Sequence, residues 1–399
     1  MLNTAFSPWP SFTPEECEAV ARVLGSNRVN YWTGEEGRLF ERAFAEWTGT
    51  AYAIALMNGT VALELALRAF GIGPGDEVIV SPRSFMASAS CVVNVGSTPI
   101  FADVSPDSGN ITAETIRQVL TPRTRAIIPV HLAGWPCDMD PIMALAEAHG
   151  LKVIEDCAQA HGARYKGRSV GSIGHAAAWS FCQDKIMTTG GEGGMVTTND
   201  ADAWSFMWSY KDHGKSWDGV FKTAHPPGFR WVHDSIGTNW RMTEMQAAIG
   251  RIQLGRMADW TRLRTAHADR ILAHLRPFAT EAGPLRIPCA EPEDGLTHAY
   301  YKLYVYVRPE NLAPGWSRDR IIAEINAQGV PCYQGSCPEI YLENAFADTP
   351  SRPAQRLSIA QELGHTSMMF LVHPTLQDLE IEKTITVAAD VFRSCGMHA

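Results

Sequence analysis

Several things are scarce in this 399-residue chain. Although 45% of its residues are hydrophobic, no run approaches the ~18 apolar residues that a membrane-crossing helix needs, so no membrane partner is expected. Basic residues are in the minority, 34 Lys and Arg against 43 Asp and Glu, for a formal net charge of −9. That balance argues against non-specific binding to nucleic acid but leaves room for a local basic pocket that takes an anionic substrate. The nine cysteines are an odd number, and none falls in a CxxC pair or beside a histidine cluster at zinc spacing. They read as free thiols in a reducing compartment, with no metal site. The first residues, MLNTAFSPWPSF, have neither a basic region nor an apolar one of the secretory kind, and a cytoplasmic location is expected. There are no internal repeats, biased tracts or charged tails.

What is present suits a globular protein large enough for two or more domains and a large core. Thr13, Pro14 and Glu16 in TPEECEAVARVL (13–24) form a helix start with a capping box. Phe40, Phe44 and Trp47 recur at helical spacing and predict a second helix that covers the core. AYAIAL, DEVIV, TPIFADV and TRAIIPVHL read as strands, the last two running to Asp103 and His131. NGT (58–60) joins AYAIAL to the amphipathic VALELALRAF. A Gly-Thr turn at a helix N-terminus offers N–H groups, a hydroxyl and the positive end of the helix dipole, which suits a phosphate, though such turns are common. TEMQAAIGRIQLGRM predicts a helix with Met245, Ile249 and Ile252 toward the core. After about residue 256 the pattern changes to a long helix, Pro/Gly-rich segments, an alternating strand HAYYKLYVYVR (298–308) and the helix SRDRIIAEINAQGV.

The stretch from Val153 to Thr198 concentrates the chemistry. VIED ends a short apolar run in two carboxylates, AAAWSF ends in the polar CQDK, and GGEGG leads into MVTT. Ligands of an open parallel sheet sit at the carboxyl ends of its strands, so Asp156 and Lys185 are expected at one edge although 29 residues apart in sequence. A lysine can form a Schiff base with an aldehyde cofactor, and a buried carboxylate keeps a pyridine nitrogen protonated so that the ring draws off electrons. On residue types alone, an ordinary ion pair fits the same two residues equally well. GGEGG does not fit a phosphate-binding GxGxxG, lacks a following GK[ST], and leads into a strand rather than a helix.

EDCAQAHGA (155–163) followed by SFCQDKIMTTGGEGGMVTT (180–198) resembles the signature of the DegT/DnrJ/EryC1/StrS family, sugar aminotransferases of the aspartate-aminotransferase fold type I. HDSIGTNWRMTEMQAAIGRIQL (233–254) resembles a second family segment, and PRSFMASAS (82–90) approximates a third. The resemblance covers most of residues 10–255 and the rest more loosely. It implies an α/β fold with a mostly parallel central sheet sandwiched by helices, a large cofactor-binding domain over residues 1–255, and a smaller C-terminal α+β domain over 256–399.

The same resemblance implies pyridoxal 5'-phosphate as cofactor. Lys185 would be the Schiff-base lysine and Asp156 the partner of the pyridine nitrogen. Gln159 would lie beside the ring and Phe85 would stack on it, while Gly59, Thr60 and Ser180 would hold the phosphate. Asn239 would reach the cofactor of a neighbouring subunit, which implies a homodimer with shared active sites. His298, Arg241, Tyr333 and Ser336 are the substrate-side expectations, Arg241 on charge alone. The expected reaction moves an amino group from an amino acid, L-glutamate first, to a keto-sugar in cell-surface polysaccharide or lipopolysaccharide synthesis. That sugar would be a nucleotide-linked keto-deoxyhexose or an oxidised sugar such as an eight-carbon keto-sugar acid. Alternatives are a sugar dehydratase on the same fold, in which a histidine replaces the lysine and against which Lys185 argues, and a non-catalytic cofactor-binding relative.

Overall fold

The computed structural model describes residues 5–288 and 295–396. Seven strands form its central sheet: β1 (Tyr52–Leu56), β2 (Glu77–Val80), β3 (Thr98–Phe101), β4 (Thr124–Ile128), β5 (Lys152–Asp156), β6 (Ala176–Ser180) and β7 (Gly194–Thr198). Their spatial order is β1-β7-β6-β5-β4-β2-β3. The β2–β3, β2–β4, β4–β5 and β5–β6 pairs are parallel, while β7 runs against both β1 and β6. The sheet is thus parallel except for one reversed strand. β2, β6 and β7 are buried throughout, because helices cover both faces and the strands need apolar or small side chains on both.

Helix α1 (Pro14–Gly25) starts as the sequence predicts, with the Thr13–Glu16 capping box and Pro14 at its first position. In α2 (Glu36–Thr48) Phe40 and Phe44 are fully buried. Helix α3 (Gly59–Ala69) follows β1 directly, with Asn58 as its N-cap.

The predicted core face of α4 (Glu244–Gly255) needs correction. Met245, Ile249 and Ile252 are only half-buried, and Ala247, Ala248, Gly250, Gln253 and Leu254 take the buried positions. Small residues win because α2 comes close: a Cβ on Gly250 would stand 2.7 Å from the Phe40 ring. Met245 and Ile252 pack instead beside Ala19 and Val23 of α1.

A second core gathers around a four-stranded antiparallel sheet of β8 (Leu285–Arg286), β9 (Leu303–Val307), β10 (Cys332–Tyr333) and β11 (Ser367–Phe370), in the order β8-β9-β11-β10. Against it pack α5 (Met257–Leu275), α6 (Arg318–Ala327) and α7 (Asp378–Cys395). The predicted strand 298–308 is shorter than expected. Ahead of β9, Ala299 and Tyr301 donate their N–H groups to Gly134 and Ala133 of the large sheet's loops, and Tyr300 has φ 46°. That backbone is committed elsewhere and left-handed, so it cannot join the ladder. β3 and β4 likewise stop before Asp103 and His131. Asp103 accepts N–H bonds from Ile359 and Ala360, and so caps the first turn of the helix Ser358–Thr366. Among the described residues no helix is long and apolar enough to cross a membrane.

Candidate active site

The register of the sheet builds the site. Asp156 pairs with Ala178 two residues before the end of β6, and β1 runs parallel to β6 because both oppose β7. The C-terminal ends of β1, β5 and β6 therefore meet at one edge. There a cavity of about 370 Å³ is lined by Gly59, Thr60, Phe85, Asp156, Gln159, Ser180 and Lys185. Seven residues predicted from scattered motifs thus come together.

At one end lies the start of α3. The Asn58 side chain accepts the Val61 N–H, and the first-turn N–H groups of a helix have no acceptor of their own in it. A Cβ on Gly59 would stand 2.7 Å from Ser180 Cβ and 3.1 Å from Ser180 Cα, so glycine is what lets the helix start sit against the end of β6. Together with the Ser180 hydroxyl this is a cradle for an anion. In the floor, Asp156 is 5% exposed. It accepts the Ser88 hydroxyl at 2.8 Å and the Ala158 N–H at 3.1 Å. Burial pushes its carboxyl up, against the pull of Ser88, Ala158 and the Lys185 charge. Among the described residues no cation stands within ion-pair distance of it. A protonated ring nitrogen would supply that missing charge. The Gln159 carbonyl oxygen accepts the Ala133 N–H at 2.8 Å, which fixes that side chain at the cavity wall. Phe85 is 68% exposed, an aromatic face at the cavity mouth and no part of the core.

Lys185 stands where this cavity meets a second one of about 630 Å³. Its ammonium lies 3.9 Å from the Asp184 carboxylate and 5.3 Å from the centre of the Tyr301 ring. Its carbonyl oxygen accepts the Trp9 indole N–H at 2.8 Å, which ties the lysine loop to the N-terminal segment. The outer cavity also takes in Trp9, Lys302, Tyr304, Tyr333 and Ser336. Tyr333 is thus in place as a wall residue, and the Tyr304 hydroxyl accepts the Ser336 N–H.

Three predicted residues lie elsewhere. His298 lines a separate cavity beside Trp135, stacked on Tyr300 at 4.0 Å, with its Nδ1 accepting the Tyr300 N–H. Arg241 is held by the buried Asp212. Asn239 is exposed and outside both cavities. His131 is fully buried and 3.0 Å from Glu155, and Glu155 also accepts the N–H groups of Gly171, Ile173 and Gly174. That pair braces the loop behind the site. Sequence reasoning passed over Ser88, Asp184, Tyr301 and Lys302. The signal for Asp184 was its place beside Lys185. Lys302 offered a single charge in the otherwise apolar and aromatic run YYKLYVYV.

An anion cradle, a buried uncompensated carboxylate and a lysine between them fit the phosphate, the pyridinium and the aldehyde of pyridoxal phosphate. The fold and site define a pyridoxal-phosphate-dependent aminotransferase. Residues 10–389 match the DegT/DnrJ/EryC1/StrS aminotransferase family, and the chain belongs to that family. It is similar to the crystallised aminotransferase from Psychrobacter cryohalolentis, with 62% identity and a TM-score of 0.96 over 98% of this chain and 99% of that one. It is 37% identical over 365 residues to the GDP-perosamine synthase of Caulobacter vibrioides, covering 90% of this chain and 92% of that protein. It is also 36% identical over 391 residues to the UDP-N-acetyl-3-dehydro-alpha-D-glucosamine 3-aminotransferase of Acidithiobacillus ferrooxidans, covering 97% of this chain and 95% of that protein. The protein is a sugar aminotransferase.

Proposed function

We propose that the protein moves the amino group of L-glutamate onto a nucleotide-linked keto-deoxyhexose. The observation that carries the chemistry is the meeting of Asp156 and Lys185 at one cavity edge with a second cavity opening over the lysine. The two relatives named for GDP- and UDP-linked sugars support the nucleotide carrier. In this reading the Gly59–Thr60 turn and Ser180 hold the cofactor phosphate, Asp156 accepts the pyridine N–H, and Phe85 covers the ring. When bound, the cofactor would supply an aldehyde reactive toward amines and a ring that draws off electrons. Lys185 Nζ would be the group that holds and moves the proton of the donor Cα, as base and acid in turn. Asp184 and Tyr301 set the position of that ammonium. Trp9 and Tyr333 form part of the wall of the outer cavity.

We also propose a homodimer in the cytoplasm. Asn239 is exposed and lines neither cavity of its own subunit, as a residue serving the partner's pocket would be. The segment before it exposes Phe229, Trp231 and Ile236 at 75%, 86% and 92%, large apolar faces of a kind that interfaces cover. A boundary between residues 1–255 and 256–399 is supported by the separate core around β8–β11. Met257 still packs with the large sheet's helices, so α5 spans both units.

The test is the visible absorption of the purified holoprotein before and after L-glutamate. The expected result is a cofactor band that bleaches with glutamate and returns with a nucleotide-linked keto-hexose. A band that no amino donor changes would refute the transfer reaction in favour of a dehydratase or non-catalytic relative.

A further inference from the structure

The outer cavity carries more positive charge than Lys185 alone requires. Lys302 is half-buried in its wall, with its ammonium 5.0 Å from the centre of the Tyr301 ring. The Lys185 ammonium faces the same ring at 5.3 Å. Behind the wall lies Arg264, 1% exposed and 5.0 Å from the Trp9 ring centre. Its guanidinium reaches only the carbonyls of Tyr300 and Tyr301, at 3.3 and 3.4 Å, and its Nε and Nη2 have no partner among the described residues. Among the described residues the cavity lining holds a single acid, Asp184, and that acid is engaged by Tyr301 and Lys185. No carboxylate among the described residues pairs with Lys302.

The local field is legible in the neighbours. Burial, then Arg264 and Lys185, push Lys302 down to about 8, with Asp184 opposing. Burial, then Arg264 and Lys302, push His373 in the same wall down to about 3. Desolvated cations without a counter-ion are costly, so the free site is arranged for an anion that arrives with the ligand. We infer that Lys302 is the residue that binds the carboxylate a substrate carries next to its reacting carbon, with Arg264 reinforcing it from behind the wall. This rests on the aminotransferase reading of the same site. The diphosphate of a nucleotide-linked sugar is several bonds from a ring ketone, whereas an α-amino acid bears its carboxylate on the reacting carbon itself. An eight-carbon keto-sugar acid is the other source of the same group.

The test compares wild type with Lys302→Met and Lys302→Arg holoproteins, whose thermal midpoints report whether they fold alike. Cofactor absorbance is followed against concentration for L-glutamate, for a UDP-linked 4-keto-hexose and for an eight-carbon keto-sugar acid. Loss of one charge-assisted hydrogen bond raises the half-saturating concentration roughly 10- to 100-fold. The expected result is that rise for L-glutamate with Lys302→Met, with the limiting rate little changed, partial recovery with Lys302→Arg, and no change for the UDP-linked keto-hexose, which has no carboxylate and whose diphosphate is remote from its ketone. A rise confined to the keto-sugar acid supports the inference with the acceptor as source. An unchanged response to all three, or an equal rise for the UDP-linked keto-hexose, overturns it. A wild type that ignores L-glutamate refutes instead the donor in the proposed function. L-Glutamine, which carries the same α-carboxylate, then takes its place in the series.

Discussion

Replacing Gly59 with alanine sets two effects of opposite sign against each other. The residue opens α3, and its φ is not in the left-handed region. Alanine would therefore cost nothing in backbone strain, and it would stabilise by about 0.4–1 kcal/mol through the unfolded chain. Against this stands Ser180. The new Cβ would lie 2.7 Å from Ser180 Cβ and 3.1 Å from Ser180 Cα, where carbon atoms pack at about 3.5–4.0 Å. Ser180 ends β6, which is paired on both sides, so it cannot retreat. The start of α3 must shift by roughly 1 Å, at an overpacking cost of about 1–3 kcal/mol. Overpacking outweighs the gain from the unfolded chain, and Gly59→Ala is destabilised by about 1–2 kcal/mol. The same shift moves the N–H groups that hold the phosphate, so cofactor affinity falls as well. Urea unfolding of the cofactor-free protein and a pyridoxal phosphate titration give the two quantities. The double variant Gly59→Ala/Ser180→Gly removes the 2.7 Å contact but leaves the one with the Cα of residue 180 at 3.1 Å, and should regain part of the stability but not full affinity. A Gly59→Ala protein with unchanged stability and unchanged affinity would show that the contact with Ser180 is relieved at no cost, contrary to this expectation.

Three further outcomes follow from the same geometry. Burial raises the Asp156 carboxyl, so its ionised form costs stability at neutral pH. Asp156→Asn should therefore make the cofactor-free protein more heat-stable while weakening cofactor binding about 150- to 4,000-fold, the effect of breaking a buried ion pair worth about 3–5 kcal/mol. Glu155 has the opposite sign: burial alone would raise it, but the His131 ring and the N–H groups of Gly171 and Gly174 hold it below its ordinary value. Its stabilisation is present above the unfolded value of about 4.3 and is lost as pH falls through the lower folded value. Unfolding scans from pH 6 to 3 should show a shallower acid loss in Glu155→Gln than in wild type, and parallel curves would contradict this. Finally, if Asn239 serves the neighbouring subunit, mixing inactive Lys185→Ala and Asn239→Ala proteins under conditions of subunit exchange should restore activity, since one site of each hybrid is intact. A mixture that stays inactive despite exchange would place Asn239 within its own subunit's site.

Local signals in the sequence carried far where local physics decides the outcome. The Thr13–Glu16 cap, the Phe40–Phe44 stripe and the strand ends at Asp156 and Ser180 all appear where residue type and spacing place them. The cavity followed, because parallel strands bring their C-terminal ends to one edge. What stayed hidden depends on contacts between distant segments. The core face of α4 is decided by how near Phe40 comes, which only Gly250 permits. The length of β9 is decided by hydrogen bonds from Ala299 and Tyr301 to the 133–134 loop. His298 was expected at the substrate because it matches a family histidine at the start of an apparent strand, and the left-handed turn at Tyr300 accompanies its placement in another cavity. Lys302 could not be recognised from its neighbours in sequence, since its charge has meaning only beside Lys185, Arg264 and the single acid Asp184.

Everything proposed for the site depends on Lys185, and no other lysine, carrying the cofactor. Lys302 faces the same Tyr301 ring and is the natural competitor. Borohydride reduction of the holoprotein followed by peptide mass mapping distinguishes the two. The pyridoxyl mass is expected on the peptide containing Lys185, with none on the peptide containing Lys302. Label on Lys302, or no label on a protein loaded with pyridoxal phosphate, would contradict the assignment of Lys185.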